Sequence, residues 1–321
     1  MSVDNLFLKQ SGVEHPIICG PMYPCSNPEL VAAVSAAGAL GVIQPISLTY
    51  VHGYTFRAGL RYIRSMTNNP LGMNLLIESS SRKYRSKMES WLNIALEEGI
   101  RFFITSMGKP DWVVKLAHEA GAHVYHDVTA PKWANIALNV GVDGLIAVNN
   151  RAGGHAGGLS SEQLLNELHS FEVPVACAGG IADATAYHNA LKQGYQAVQM
   201  GTRFIASQEC NASMDYKQAI LQAHASDIVL SERITGVPVS VINSDYVQSR
   251  GLTPNKIERM LLSHAKFKYF MRTLLSLRSL RLLKRSLGGV HGSNDYWQAG
   301  KSVEAIDSIL PVQSIIDLFT K

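Results

Sequence analysis

Eight short apolar segments, separated by helical patterns at an even pace, constrain the fold of this chain more than any other feature. They lie at residues 16–22, 40–45, 71–77, 102–108, 123–128, 144–150, 174–180 and 197–202. Several are apolar almost throughout, as strands of a parallel sheet buried on both faces are. Several of the helical segments between them end in glycine, which suits a left-handed helix cap. The sequence therefore predicts a repeated unit of strand, loop and helix.

Two architectures use such units, a closed (β/α)8 TIM barrel and an open doubly wound sheet. Eight units within about 220 residues suit the barrel, whose usual size is about 250 residues. The open sheet would carry a GxGxxG dinucleotide fingerprint in its first strand-to-helix turn. Residues 20–30 read GPMYPCSNPEL instead. We therefore predict an α/β fold of the TIM-barrel type.

The regular alternation stops after Thr202. We predict a barrel of residues 1–210 and 300–321, with residues 211–299 as a helical subdomain inserted before the last barrel helix. The stretch from Lys256 to Arg285 in this insertion contains nine Lys or Arg and one acidic residue. Its pattern is an apolar helical stripe with basic residues opposite, so the simplest interpretation is the solvated face of a helix packed on the barrel.

Composition excludes several classes of protein. The chain is 46% hydrophobic and 17% charged, which is ordinary for a globular protein. No apolar run reaches the roughly 20 residues of a membrane-spanning helix, and Asp4 and Lys9 interrupt what would be the apolar part of a signal peptide. We expect a cytoplasmic protein with no membrane partner. The four cysteines lack metal-binding spacing, so we expect reduced thiols and no metal site.

Two loops at one end of the predicted barrel suit a phosphate. In this fold the active site lies at the carboxyl ends of the strands, and phosphates commonly bind after strands seven and eight. Strand seven ends in AGGIAD (178–183) and strand eight in MGTRF (200–204). Bare backbone amides at a helix start can surround a phosphate, and Thr202 can add a hydroxyl. We predict a phosphate site formed by these two loops.

Strand six delivers the octapeptide RAGGHAGG, residues 151–158, to the same end. Its glycines let the backbone approach a flat ligand, because no Cβ holds the ligand off. His155 would act as an acid, a base or a cation beside an anion, and a solvent-bonded loop histidine is the alternative. Asn74 is costly to bury unpaired, so we expect it to bond a ligand edge. Asp127 and Lys132 flank strand five, where a surface ion pair would explain them.

Six motifs carry a family resemblance. They are GPM (20–22), GMN (72–74), AGGHAGG (152–158), PVACAGGIAD (174–183), QMGTRF (199–204) and YWQAGKSVEAI (296–306). In this order they resemble motifs of the nitronate monooxygenase family, formerly called 2-nitropropane dioxygenase. That family includes the flavin-dependent enoyl-acyl-carrier-protein reductase II and NAD(P)H:quinone reductases. The resemblance covers nearly the whole chain.

The resemblance implies a barrel that holds non-covalent FMN. The cofactor-binding residues that it implies are Gly20, Pro21, Met22, Asn74, Ala152, Gly153, Gly154, Gly179, Gly180, Met200, Gly201 and Thr202. Of these, Gly179, Gly180, Gly201 and Thr202 would hold the phosphate. His155 matches the family's active-site histidine. Many relatives have Glu and Gln where this chain has Arg151 and Lys301, and both differences add positive charge.

Three functions are compatible with these residues. In the first, the enzyme oxidises an alkyl nitronate with dioxygen to a carbonyl compound and nitrite, and His155 stabilises the anion or takes the α-proton of a neutral nitroalkane. In the second, NAD(P)H reduces FMN, which passes hydride to an enoyl thioester or a quinone. The basic stretch would then suit an acidic acyl carrier protein.

The third function, a non-enzymatic scaffold that binds flavin or nucleic acid, ranks last because no nucleic-acid-binding motif accompanies the basic stretch. We rank nitronate oxidation first. We expect a small-molecule substrate and no nucleic-acid partner, and the sequence leaves a homodimer open.

Overall fold

The computed structural model describes residues 5–78, 82–234, 236–255, 258, 260, 268–287 and 295–321. Within these ranges eight parallel strands close into a barrel in chain order. The strands are β1 (Ile17–Cys19), β2 (Leu40–Ile43), β3 (Leu71–Leu76), β4 (Phe102–Ser106), β5 (His123–Val128), β6 (Gly144–Val148), β7 (Val175–Ala178) and β8 (Ala197–Met200). Strand β8 pairs with β1, which closes the barrel. The TIM-barrel prediction is confirmed, and each of the eight barrel strands falls inside a predicted segment.

Helices follow the strands and cover the outside of the barrel. The α-helices of the described ranges are α1 (Leu6–Ser11), α2 (Pro28–Ala36), α3 (Phe56–Met66), α4 (Arg82–Glu97), α5 (Asp111–Glu119), α6 (Pro131–Leu138), α7 (Ser161–Leu168), α8 (Ala184–Gln193), α9 (Thr202–Ile205), α10 (Met214–Gln222), α11 (Asp245–Arg250), α12 (Lys268–Arg285) and α13 (Val312–Thr320). Glycines with positive φ follow five of the predicted helices, at Gly38, Gly99, Gly121, Gly141 and Gly194. The predicted glycine caps are therefore present.

Helix α1, which we did not predict, closes the amino-terminal end of the barrel. Phe7 is fully buried, and its ring meets Phe102 and Tyr125 edge-on at centroid distances of 5.7 and 5.9 Å. The side chain of Gln196, just before β8, accepts hydrogen bonds from the amides of Leu6 and Phe7 at 2.9 and 3.3 Å. Apolar packing and a capped helix start thus seal this end.

The segment 211–299 is not helical throughout. It contains two strands that we did not predict, β9 (Ile228–Ser231) and β10 (Val239–Ile242), which pair antiparallel. A separate apolar cluster in this part of the chain comprises Ile234, Val239, Val241, Val247, Leu283 and Tyr296. We did not predict β9 and β10 because they lie outside the regular alternation of strands and helices, which stops after Thr202.

Helix α13 packs against α2 and α8 and so occupies the place of the last barrel helix. The basic stretch 256–285 lies partly outside the described residues. In its described part, Arg278 pairs with Glu258 at 3.1 Å and Arg285 with Asp295 at 2.8 Å. None of the helices in the described ranges combines the length and the apolar character that crossing a bilayer requires.

Candidate functional site

The side chains that face the inside of the barrel change from apolar to polar towards the carboxyl ends of the strands. On β5, Tyr125 belongs to the apolar cluster inside the barrel. Asp127, two residues further on, faces the same way because side chains alternate along a strand. By the same alternation Asn74 on β3 and Gln199 on β8 face inward, since their register partners on neighbouring strands belong to the interior cluster. The carboxyl ends of the strands therefore surround a polar mouth.

Two buried acceptors in this mouth, Oδ1 of Asp127 and Oε1 of Gln199, have no hydrogen-bond partner among the residues that the structure describes. Burial raises the pKa of Asp127 from 3.8 to about 7, because a charged carboxylate is poorly solvated there. Lys132, to which we assigned no role, lies over the ring of Trp133 at 4.7 Å. Asn74 is buried, and its Nδ2 donates to the carbonyl oxygen of Ile104 at 3.2 Å. Buried acceptors of this kind are commonly completed by an ordered water or a bound molecule.

The glycine pair after β7 has a backbone that only glycine adopts readily. Gly179 has φ +117° and Gly180 has φ +80°. A Cβ on Gly179 would lie 2.6 Å from the backbone nitrogen of Ala152, so the loop after β6 packs directly on this pair. Gly201 begins α9 after β8, and a Cβ there would lie 3.3 Å from Sδ of Met22. The loops after β1, β6, β7 and β8 thus converge.

The late AGK sequence, residues 299–301, packs on the same loops. A Cβ on Gly300 would lie 2.6 Å from the backbone nitrogen of Gly153. The amide of Gly300 donates to Oγ1 of Thr202 at 3.0 Å, and the amide of Lys301 donates to the carbonyl of Arg151 at 2.9 Å. A Cβ on Gly153 would likewise lie 3.1 Å from the backbone nitrogen of Gly300. Gly153 thus has little room for a side chain because another segment of backbone lies against it, a reason that the sequence did not reveal.

His155 lies on the loop after β6, which is held from two sides. The carbonyl of Gly154 accepts a hydrogen bond from the amide of Ser240 in β10 at 2.8 Å. A Cβ on Gly157 would lie 3.3 Å from Cβ of Thr129, in the loop after β5. Solvent reaches the imidazole, but the surrounding protein lowers the pKa of His155 below its ordinary 6.5. The ring is therefore neutral at physiological pH and able to accept a proton.

The structure brings most of the predicted site residues to this end of the barrel. Gly20 and Pro21 follow β1, and a Cβ on Gly20 would lie 3.0 Å from Cγ of Gln199. Met200 differs, because its side chain packs in the layer between strands and helices together with Cys19. Only the backbone of Met200 borders the mouth, where its carbonyl accepts from the amide of Gly20 at 2.9 Å.

From the sequence we assigned no role to Asp127 and did not single out Gln199. A signal was present in β5, where Asp127 shares the inward parity of Tyr125 in the segment HVYHDV. We identified β5 from its average apolar character and did not separate its inward-facing from its outward-facing positions.

From the sequence we also expected reduced thiols and no metal site. Cys19, Cys25, Cys177 and Cys210 are all buried and free, as expected. In the part of the chain that the structure describes, no three His, Cys, Asp or Glu side chains are grouped so as to hold a metal ion.

Comparison with known proteins agrees with this geometry. The family model described as nitronate monooxygenase matches residues 5–321. A relative from Rhodococcus jostii (strain RHA1), named (3aS,4S,5R,7aS)-5-hydroxy-7a-methyl-1-oxo-octahydro-1H-indene-4-carboxyl-CoA dehydrogenase, is 27% identical over 288 residues, or 89% of this chain and 78% of that protein. A probable nitronate monooxygenase from Staphylococcus saprophyticus is 28% identical over 280 residues, or 73% of this chain and 77% of that protein.

A solved structure of FabK from Thermotoga maritima superposes with a TM-score of 0.81 at 27% identity, covering 99% of this chain and 95% of that one. The sequence motifs, the barrel and the family match agree over nearly the whole length. This chain belongs to the nitronate monooxygenase family of oxidoreductases.

Proposed function

We propose that this protein is an FMN-dependent enzyme that oxidises alkyl nitronates with dioxygen and releases a carbonyl compound and nitrite. One observation carries the proposal: the glycine loops at Gly179–Gly180 and Gly201 converge with the His155 loop above buried acceptors that lack donors. Such a constellation suits a phosphate-bearing cofactor with a reactive group beside it. The probable nitronate monooxygenase from S. saprophyticus supports the substrate class.

The residues present fit FMN. Gly180 and Gly201 carry no side chain beside their own backbone amides, and amides in such loops bind phosphate. The hydroxyl of Thr202 accepts from Gly300 and so keeps its own proton to donate. In the mouth, Asp127 Oδ1 and Gln199 Oε1 need a donor, which suits a planar heterocycle that carries an N–H group. Bound FMN would accept electrons from the substrate and pass them to dioxygen.

His155 would act on the substrate. Because its pKa is lowered, the imidazole is neutral and can take the α-proton of a nitroalkane, which leaves the nitronate anion and an imidazolium. A substrate that arrives as the anion needs only the hydrogen-bonding and electrostatic part of this contribution. The hydrogen bond from Ser240 to Gly154 holds the loop that carries the histidine.

A second function is favoured by the R. jostii relative, whose name describes a CoA thioester dehydrogenase and whose match covers 89% of this chain. In this alternative NAD(P)H supplies the electrons, and an enoyl thioester or a quinone accepts them. The structure gives little support for an acyl carrier protein as the partner of the basic stretch. Arg278 and Arg285 are already paired with Glu258 and Asp295, and part of the basic stretch lies outside the described residues.

An anaerobic experiment separates the two functions. The flavin-loaded protein is mixed with a nitronate, or with NADH or NADPH, and the absorbance of oxidised flavin is followed. We expect the nitronate to bleach it. Bleaching by NADH or NADPH but not by the nitronate would replace nitronate oxidation with the second function. Release of FAD from the purified protein, or a colourless protein that takes up no FMN, would overturn the cofactor assignment.

A further inference from the structure

The side chain of Arg151 lies over the glycine pair that follows β7. A Cβ on Gly180 would come within 2.8 Å of Nε and 3.0 Å of Cδ of Arg151. The residue is exposed, and its guanidinium donates to the carbonyl oxygen of Lys301 at 3.3 Å. Among the ion pairs of the described residues, none involves Arg151. The hydrogen bond from the Ala225 amide and, more weakly, the charge of Arg151 lower the pKa of the exposed Glu304 carboxylate. The guanidinium thus has an anion in its neighbourhood but no salt bridge, and it lies beside Gly180.

Backbone contacts hold Arg151 in this place. Its amide donates to Oδ1 of Asn149 at 2.8 Å, and its carbonyl accepts from the amide of Lys301 at 2.9 Å. The adjacent Gly300 donates to the hydroxyl of Thr202 at 3.0 Å. Arg151 is thus joined to both proposed phosphate loops, directly at Gly180 and through residues 300–301 at Thr202.

The two loops contain one other cation, Arg203, and its buried guanidinium donates to the carbonyl oxygens of Ala206 and Ser308 at 2.7 and 2.6 Å. The carboxylate of Asp183 caps α8 by accepting from the amide of Ala186 at 2.7 Å, so that helix start is already occupied by an anion. Helix α9 after Gly201 has only four residues. A phosphate monoester carries about 1.5 to 2 negative charges at neutral pH. A guanidinium can balance that charge and form paired hydrogen bonds with the phosphate oxygens.

We propose that Arg151 is a ligand of the cofactor's phosphate and determines the preference of this protein for a phosphorylated flavin over riboflavin. This inference rests on the proposed FMN function and extends it, because the residues assigned above offer amides and a hydroxyl but no cation. Arg151 then acts at the phosphate end of the cofactor, whereas His155 acts on the substrate.

Equilibrium binding tests this without turnover. The full chain is stripped of flavin and titrated with FMN or with riboflavin, which has the same ring and no phosphate, and quenching of flavin fluorescence is measured. For Arg151→Gln we expect FMN affinity to fall about 10- to 100-fold, as for a lost hydrogen bond between charged groups. Riboflavin affinity should stay unchanged. Arg151→Lys keeps the charge but lacks the planar guanidinium, so its FMN affinity should lie between those of the wild type and Arg151→Gln.

Lys192→Gln is the matched control, because it removes the same charge from an exposed site at the far end of α8. It should leave both affinities unchanged. Wild-type FMN affinity in Arg151→Gln would overturn the inference. An equal loss of FMN and riboflavin affinity would also overturn it, since the whole pocket would then be damaged. A wild-type chain that binds neither flavin would instead overturn the proposed function.

Discussion

The two ends of the barrel are built from the same eight strands and have opposite characters. At the amino-terminal end Phe7 packs on Phe102 and Tyr125, and the hydroxyl of Tyr125 donates to Oε1 of Gln10 at 2.7 Å. At the carboxyl end Asp127 and Gln199 keep buried acceptors that have no donor. One end is apolar with its polar groups paired, which stabilises the fold. The other leaves polar groups unpaired, which costs stability and suits a ligand.

A side chain in the proposed phosphate loop should have the largest effect, and it should abolish flavin binding at the carboxyl end without affecting the amino-terminal end. In Gly180→Val, a branched side chain would be forced into a φ of +80° and against Nε of Arg151, 2.8 Å from the new Cβ. We expect the purified variant to contain no flavin, measured as absorbance per chain, and to keep its circular dichroism spectrum.

Gly99→Val separates backbone strain from lost space. Gly99 has a nearly equal φ of +81°, but a Cβ there would meet nothing within 4 Å. This variant carries the same strain and should retain flavin. Stoichiometric FMN in Gly180→Val would show that the phosphate binds elsewhere.

Removing the imidazole should spare the cofactor and lower turnover. For His155→Ala we expect the rate with a neutral nitroalkane to fall about 10²- to 10⁴-fold, the usual contribution of a general base, and the rate with a preformed nitronate to fall less. Steady-state rates with both substrate forms measure the difference. His169→Ala, at an exposed residue after α7, is the control and should behave as the wild type.

The pH dependence gives a second measure of His155. Because its pKa is lowered, kcat/KM for a nitroalkane should rise with pH through an apparent pKa below 6.5 and then level off. This rise of kcat/KM with pH should be absent in His155→Ala. An unchanged rise, or wild-type rates on both substrate forms, would remove the histidine from the mechanism.

Breaking the other end should lower stability and leave the site intact. Phe7→Ala removes a fully buried ring from the amino-terminal end, and such truncations cost about 3–5 kcal/mol of unfolding free energy. Chemical denaturation measures this loss, and the flavin content of the folded variant should remain that of the wild type. Loss of flavin without loss of stability would show that the two ends are not independent.

The smallest expected effect is the loss of unfolding free energy caused by the buried carboxyl of Asp127 at the carboxyl end of the barrel. In flavin-free protein the pKa of Asp127 is about 7, against 3.8 as its ordinary value, so the folded state retains a proton that the unfolded chain has lost. The contribution of Asp127 to stability is therefore greatest below pH 3.8 and is lost as the pH rises towards 7. Asp127→Asn cannot ionise, so its stability advantage over the wild type should grow by roughly 2 kcal/mol between pH 5 and pH 8. An advantage that is independent of pH would show that the carboxyl is paired.

Local patterns explain which parts of the fold were predictable. The strands were found because each is a short apolar run, and the helix ends because glycines such as Gly194 adopt a left-handed cap that follows from the residue itself. The phosphate loops were predicted because Gly179 and Gly180 directly follow β7 in a fold that places sites there. Helix α1 was missed, since its role depends on contacts of Phe7 with residues far along the chain.

The sequence by itself determined the alternation of strands and helices, the bare loops and the chemical identity of His155, because each is encoded within a few neighbouring residues. Only the tertiary structure decided why Gly153 is bare, since the Gly300 backbone that packs on it comes from the end of the chain. It likewise placed Arg151 over Gly180 and left Asp127 without a partner. These properties depend on which distant groups become neighbours, and closure of the barrel creates those neighbours.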